Sequence, residues 1–341
     1  VTNTTSNQPG LVATNNTGAT LNVTAGAVNT GSATAVDIDN TALGVSLQRV
    51  DSNGGAAVGI DLFATTGSFS VLGDGSLLQN GSGGTITNKS GFGVRINRAE
   101  NVALASMNIT NTGDDGIYGG GTTPGDSVNG FALRGGFLSN NGNAVDEHGL
   151  EFRDLHGTVV IDNTQVTGSA EDAVRIFNDE GELADLDIAN SVFTLNSPGL
   201  GNNGLNIEAR GNARLSDIDI AGCTFSQLQA TGVQVSTTDS ALANIDIATS
   251  TFTNNNIAVN LAAVANSTLV IDVHDNPSIN GHNSHAVNVF SSDPSTATVS
   301  GSIRNNTIGT GGVASSGSAF GNGIRLNING NSNADLLIDS N

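Results

Sequence analysis

Asp185-Leu-Asp-Ile-Ala-Asn-Ser-Val-Phe-Thr-Leu-Asn196, Asp217-Ile-Asp-Ile-Ala-Gly-Cys-Thr-Phe-Ser-Gln-Leu228 and Asn244-Ile-Asp-Ile-Ala-Thr-Ser-Thr-Phe-Thr-Asn-Asn255 are versions of one stretch. Self-similarity at such a period marks a stacked repeat architecture. Each version alternates polar and apolar residues, through Leu186/Ile188, Ile218/Ile220 and Ile245/Ile247. It then turns a short polar corner to Phe193, Phe225 or Phe252. Alternation with period two is strand-like, and no helical period competes with it. The stretch is one coil of a β-solenoid with these six apolar residues and the three Phe pointing inward.

A second repeated element sets the register: a small residue followed by apolar-polar-apolar. It reads Ala35-Val-Asp-Ile38, Gly59-Ile-Asp-Leu62, Gly93-Val-Arg-Ile96, Gly116-Ile-Tyr-Gly119, Gly149-Leu-Glu-Phe152 and Ala173-Val-Arg-Ile176. It continues as Gly204-Leu-Asn-Ile207, Gly232-Val-Gln-Val235, Ala258-Val-Asn-Leu261, Ala286-Val-Asn-Val289 and Gly323-Ile-Arg-Leu326. These occurrences predict roughly eleven to twelve coils advancing about 4.8 Å each. Uneven spacing places insertions at one corner, as in Gly119–Asn129 and Asn196–Asn203. Corner asparagines Asn163, Asn190, Asn276 and Asn305, with Asn341 next, are expected to stack as an amide ladder that Gly222 and Thr249 interrupt.

Composition agrees with this fold. Of 341 residues, 45 are Gly and five Pro, suiting tight turns between short strands. No apolar run is long enough to span a membrane, and Val1 opens no signal-peptide pattern. The formal charge of −20 disfavours nucleic acid and anionic membranes and suits Ca²⁺ or neutral or cationic partners. The single Cys223 excludes an internal disulfide and reads as an inert buried or half-buried thiol. His274, His282 and His285 read as surface polar residues, since no carboxylate triad or Cys stands at ligand spacing.

From about Val23 to Asn341 the strand–Asn corner–strand pattern resembles the right-handed parallel β-helix proteins of the pectin-lyase-like type. More narrowly, Gly113-Asp-Asp-Gly-Ile117, Asp146-Glu-His-Gly-Leu150 and Ala170-Glu-Asp-Ala-Val174 resemble the β-helix segments of very large secreted or surface-attached bacterial repeat proteins. The resemblance implies an all-β fold, a right-handed parallel β-helix. Residues 1–60, with Gly26-Ala-Val-Asn-Thr-Gly31 and Ala35-Val-Asp-Ile-Asp-Asn40, read as simpler N-terminal β-repeat coils continuous with a solenoid over residues 61–341. The final coil reads as unfinished at Asp339-Ser340-Asn341, so continuation by further sequence or capping is expected.

One constellation could carry chemistry. Aligning the coils stacks Asp114-Asp115, Glu147-His148 and Glu171-Asp172, with Tyr118, Glu151 and Arg175 outward on the following strands and Arg153 nearby. Five carboxylates at coil spacing would crowd and raise pKa values. Ca²⁺ would take oxygens from Asp114, Asp115, Glu147, Glu171 and Asp172. The resemblance implies a second use. Pectin-depolymerising hydrolases of this fold place acidic residues on neighbouring coils near a His-Gly and an Arg-Ile-Lys. Here Asp114-Asp115, His148-Gly149 and Arg175-Ile176 are similar in kind, making Asp114, Asp115, Glu147, His148, Glu171, Asp172 and Arg175 the catalytic candidates. Lys89-Ser-Gly-Phe92 and Phe177 depart from that pattern. The third reading is solvated acidic corners. The favoured function is an extracellular or cell-surface stalk, adhesin or filament building block, associating end to end or continued by further repeats. The alternative is a polysaccharide-degrading hydrolase or lyase.

Overall fold

The computed structural model describes residues 8–55, 57–121, 123, 125–195, 202–292 and 294–341. The insertion expected at Asn196–Asn203 and the start of the N-terminal repeat fall largely outside these. The chain is an all-parallel, right-handed β-solenoid of about ten coils, without helix among the described residues. It divides into two compact units, residues 1–171 and 172–341.

All eleven small-apolar-polar-apolar segments form strands, from Val36–Leu47 to Ile324–Asn327. Among the described residues, the short strands that follow the corners number six in the first unit and four in the second. That gives about ten coils, roughly consistent with the number the repeat predicts.

In the first unit, Val36–Leu47 pairs in parallel with Ile60–Val71, and that with Val94–Ala105. Val94, Ile117 and Leu150 then stand in one register column, as do Arg95, Tyr118 and Glu151. The column needs small residues before it, because a Cβ on Gly59 would come within 2.6 Å of the Gly93 carbonyl oxygen. Inward residues Ile60, Val94, Ile117 and Leu150 are fully buried.

The second unit repeats the coil more regularly. Leu186, Ile218, Ile245 and Ile271 align, and so do Ile188, Ile220, Ile247 and Val273. Phe193, Phe225 and Phe252 align on the short strands with ring centroids 5.1 and 4.9 Å apart and planes tilted by 16° and 9°. Near-parallel stacking at coil spacing follows from identical residues held in register. All nine residues expected to point inward in these coils are at most 1 % exposed.

The corner asparagines separate into two columns. Asn163, Asn190 and Asn305 take the left-handed conformation (φ 48°, 51° and 56°), a role Gly222, Thr249 and Asp275 fill on intervening coils. Asn276 and Asn341 instead belong to the next, inner position, Asn276 because Pro277 adds a residue before Ser278–Asn280 and Asn341 because Arg304 is in register with Asp339. There the ladder is real: Asn276 Nδ2 donates to Asn306 Oδ1 (2.8 Å) and Asn306 Nδ2 to Asn341 Oδ1 (2.7 Å). One coil earlier, Ser250 N–H donates to Asn276 Oδ1 (2.9 Å), and Cys223 N–H donates to Ser250 Oγ (3.1 Å). Cys223 is therefore a buried rung, its thiol facing the Ile188 carbonyl at 3.3 Å. The first unit has an exposed ladder that the sequence reading did not single out, running Asn140 to Asn111 to Asn88 to Asn53.

Phe225→Ala removes the middle ring of the stack and leaves a cavity closed on both sides. Chemical denaturation should show a loss of about 3–5 kcal/mol. A loss within experimental error of zero would place Phe225 outside the core.

Candidate functional site

The acidic pairs sit where each coil turns into its register strand, and the backbone there explains most of them. An extended strand entered from a tight turn leaves N–H groups that the coil below must satisfy. Asp114 Oδ1 accepts the Asp115 N–H (2.9 Å). Glu147 Oε2 accepts the N–H groups of Asn143 and Ala144, the latter at 2.6 Å. Glu171 Oε2 accepts the Asp146 N–H at 2.6 Å. Asp115 Oδ1 accepts the His148 N–H of the next coil. In the second unit, Asp172 repeats this arrangement. Its Oδ1 accepts the Asn203 N–H (2.8 Å) and its Oδ2 faces Asn206 Nδ2 at 3.0 Å. Asn203 Oδ1 continues it by accepting the Thr231 N–H (3.1 Å). These acids are turn anchors first.

A buried cluster remains in the first unit. Asp115, His148 and Glu151 are 1 %, 1 % and 2 % exposed, and each offers a ligand-type atom within 4.8 Å of the others. Glu151 is the member that sequence reasoning placed outward on its strand but left out of the site. The signal was its position in the Arg95–Tyr118–Glu151 column, one strand past the acidic turn. Arg153 reaches Glu151 Oε1 through Nη2 (3.0 Å) and Nε (3.1 Å). Burial pushes the Asp115 carboxyl well above the usual carboxylate range, with the Glu151 charge adding to it. Burial also raises Asp114, with a contribution from Glu147. Tyr118, half-buried, has its phenol raised by burial and then by Glu151. For Arg153, burial works against the charge, but Glu151 and its neighbours outweigh it and hold the guanidinium pKa up.

Beside the cluster runs a groove of about 390 Å³ lined by Phe63, Phe92, Arg95, Asn97, Tyr118 and Asp126. Phe92 and Tyr118 pack with centroids 5.1 Å apart, and the Arg98 guanidinium lies 4.3 Å over the Phe63 ring. Arg95 is held by Asp61 through a two-contact ion pair (2.5 and 3.0 Å). The groove thus combines aromatic faces with fixed polar groups.

Arg175, in the second unit, stands 3.8 Å from Glu208, whose other oxygen holds Arg210 at 2.6 Å. Phe177 carries the Arg210 guanidinium 4.5 Å over its face. Lys89, where the hydrolase pattern would want an acid, is buried, donates to the Gly54 carbonyl (2.8 Å), and is lowered by burial to about 8.

The second unit also carries an acidic stripe that the repeat displayed but whose chemistry was not drawn from it. Asp187, Asp219, Asp246 and Asp272 occupy one outward column. Burial raises Asp219, and Asp217, Asp246, Asp187 and Asp185 add to it. His274 closes the stripe, with Nε2 3.1 Å from Asp246 Oδ1 and Nδ1 2.7 Å from Asp275. Arg304 binds Asp272 at 2.8 Å. His274 is only partly exposed, and burial opposes its charge, but Asp275 and Asp246 prevail and raise its pKa.

Ca²⁺ asks for six to eight oxygens. In the first unit, Glu147 and Glu171 already give one oxygen each to backbone N–H groups, and the buried trio brings an imidazole and an adjacent guanidinium. That donor set suits proton handling better than a hard cation. No family model, curated protein or solved structure matches the chain.

The Asp115 shift has a stability consequence. A carboxyl whose folded pKa is raised keeps its proton in the fold while the unfolded chain ionises from about 3.8 upward, so stability falls as pH climbs from there through the raised value. Asp115→Asn keeps an acceptor for the His148 N–H and removes the charge. Denaturation midpoints measured from pH 4 to 8 should therefore fall less steeply for the variant, which gains on the wild type toward pH 8. Parallel curves would show that Asp115 is not desolvated.

Proposed function

We propose that the chain is a structural β-solenoid, an extracellular or cell-surface scaffold serving as a stalk, adhesin or filament block. The observation that supports it is that the stacked acids accept backbone N–H groups at turn after turn, from Asp114 and Glu147 to Asp172. Residues occupied in holding the coil are what a mechanical element needs. Such a ladder resists extension because neighbouring strands must separate through many hydrogen bonds at once. End-to-end association, or continuation by further repeats, belongs to this reading. Protease added to intact cells that make this protein should release fragments of this chain. Recovery of those fragments only after lysis would contradict the surface location.

A second reading is favoured by the buried trio. Asp115, with its pKa pushed up, would serve as general acid, and Glu151, paired with Arg153, as the partner carboxylate for cleaving a polysaccharide lying in the Phe63–Phe92–Tyr118 groove. Separated environments for two carboxyls are the basis of such acid–base division. Both groups lie beneath the surface, so the side chains covering them would have to move for them to meet a glycosidic oxygen. Wild-type chain incubated with acidic and neutral polysaccharides should then release reducing ends or unsaturated products, and Asp115→Asn with Glu151→Gln should abolish that release. No turnover by the wild type retires this reading and leaves the scaffold.

A further inference from the structure

The sequence reading set His282 among surface residues, but it is fully buried. It occupies the corner that Asn255 fills one coil earlier, since Phe252 and Ile279 are register partners. Asn255 meets that corner's needs with an amide: Nδ2 donates to the Phe225 carbonyl (3.1 Å) and Oδ1 accepts the Leu228 N–H (3.0 Å). The His282 ring faces the backbone of Phe252 and Asn255 in the same way, yet neither ring nitrogen closes a hydrogen bond of good geometry. A neutral imidazole is tolerated there, whereas an imidazolium would be a buried charge without a counter-ion.

The loop of residues 309–322 lies directly over this corner. Gly281 N–H donates to the Ser316 carbonyl (2.6 Å), Ala319 N–H to the His282 carbonyl (2.7 Å) and Phe320 N–H to the Asn283 carbonyl (3.0 Å). The Ser318 hydroxyl donates to the Ser284 carbonyl. The far end of the loop is fastened by a second histidine: Asn322 N–H donates to His285 Nδ1 at 3.0 Å, while Arg325 Nη1 stands 3.4 Å from Nε2. Protonating His285 removes the acceptor and sets a second positive charge beside Arg325.

We propose that residues 309–322 form an acid-released strap, fastened while His282 and His285 are neutral and loosened when they take up protons. Backbone groups of Phe252 and Asn255 favour the charged His282 ring, but burial outweighs them. No charged residue occurs in residues 250–258, 276–284 or 305–324, and Arg325 is the one charge acting on His285. Burial lowers His282 to about 4, and burial followed by Arg325 lowers His285. The sign follows. A histidine with a depressed folded pKa stabilises the fastened state fully above its unfolded value near 6.5. That stabilisation is lost as pH falls from there toward the folded value, about 4 for His282. The strap carries Phe320, 92 % exposed, and Val313, 57 % exposed, so its release would redistribute an apolar surface.

Hydrogen exchange by mass spectrometry on the whole chain, corrected for intrinsic rates, tests this between pH 7 and 4.5. In the wild type, protection of residues 316–322 should fall by about tenfold per pH unit below 6.5 for each proton taken up, while the strand Thr268–His274 keeps its protection. His282→Asn, which installs the residue of the preceding coil, combined with His285→Gln should make the strap's protection independent of pH. The single His285→Gln variant, with a half-buried side chain changed, should show a shallower fall. Constant wild-type protection, an equal fall in the double variant, or parallel loss in Thr268–His274 would each overturn the proposal.

Discussion

Parallel backbone pairing between successive coils is the constraint on which everything else depends. Once Leu186 stands beneath Ile218 and Ile245, each side chain has as its neighbour the residue at the same place in the next coil. A one-residue slip would turn the inward column outward. Identity along a column then becomes useful: Phe stacks on Phe, and Asn276 bonds Asn306, because like groups at coil spacing fit each other. The same rule makes like charges a liability. It explains why the Asp187–Asp219–Asp246–Asp272 stripe sits outward, ending on His274 and Arg304.

Corners are where the stacked acids find their use. Each turn presents N–H groups to the coil below, and a short carboxylate or amide there closes the bond without a long, entropically expensive side chain. Asp115, Asp172 and Asn203 do this in turn, so acid and amide are interchangeable for the backbone. They differ in charge and in the amide's N–H donors, one of which Asn203 gives to Asp172. A carboxylate at a buried turn beside Glu151 becomes a proton-holding group, and that separates Asp115 from the purely structural anchors. Histidine at the corner of the 309–322 strap is the same substitution with the opposite charge sensitivity.

Much of the fold was legible in the sequence because the period-two pattern and the coil period reinforce each other. Ile188, Phe193 and their counterparts could be assigned inward without ambiguity. The corner columns were harder to assign. Pro277 shifts Asn276 by one place, and a fixed offset to the next inward residue merges two columns that the structure keeps apart. The candidate site was legible as a neighbourhood but not as a set of contacts. Sequence alignment of coils brought Asp115, His148, Tyr118 and Glu151 to one face, yet it could not show that Glu147 and Glu171 bend back to turn N–H groups. Nor could it show that His282 is covered, because that depends on how a Gly- and Ser-rich loop folds over the next corner.

Register is the central claim, and a cysteine pair tests it most directly. Ser226 Oγ and Thr194 Oγ1 lie 3.0 Å apart on adjacent coils. Cys223 can be replaced by Ser, the residue already found at the aligned positions Ser191 and Ser250. In that background, Thr194→Cys with Ser226→Cys should form a disulfide on mild oxidation, being within bridging range. The offset pair Thr194→Cys with Thr224→Cys should stay reduced. Equal cross-linking of both pairs, or cross-linking of the offset pair alone, would contradict the stacked, in-register coil.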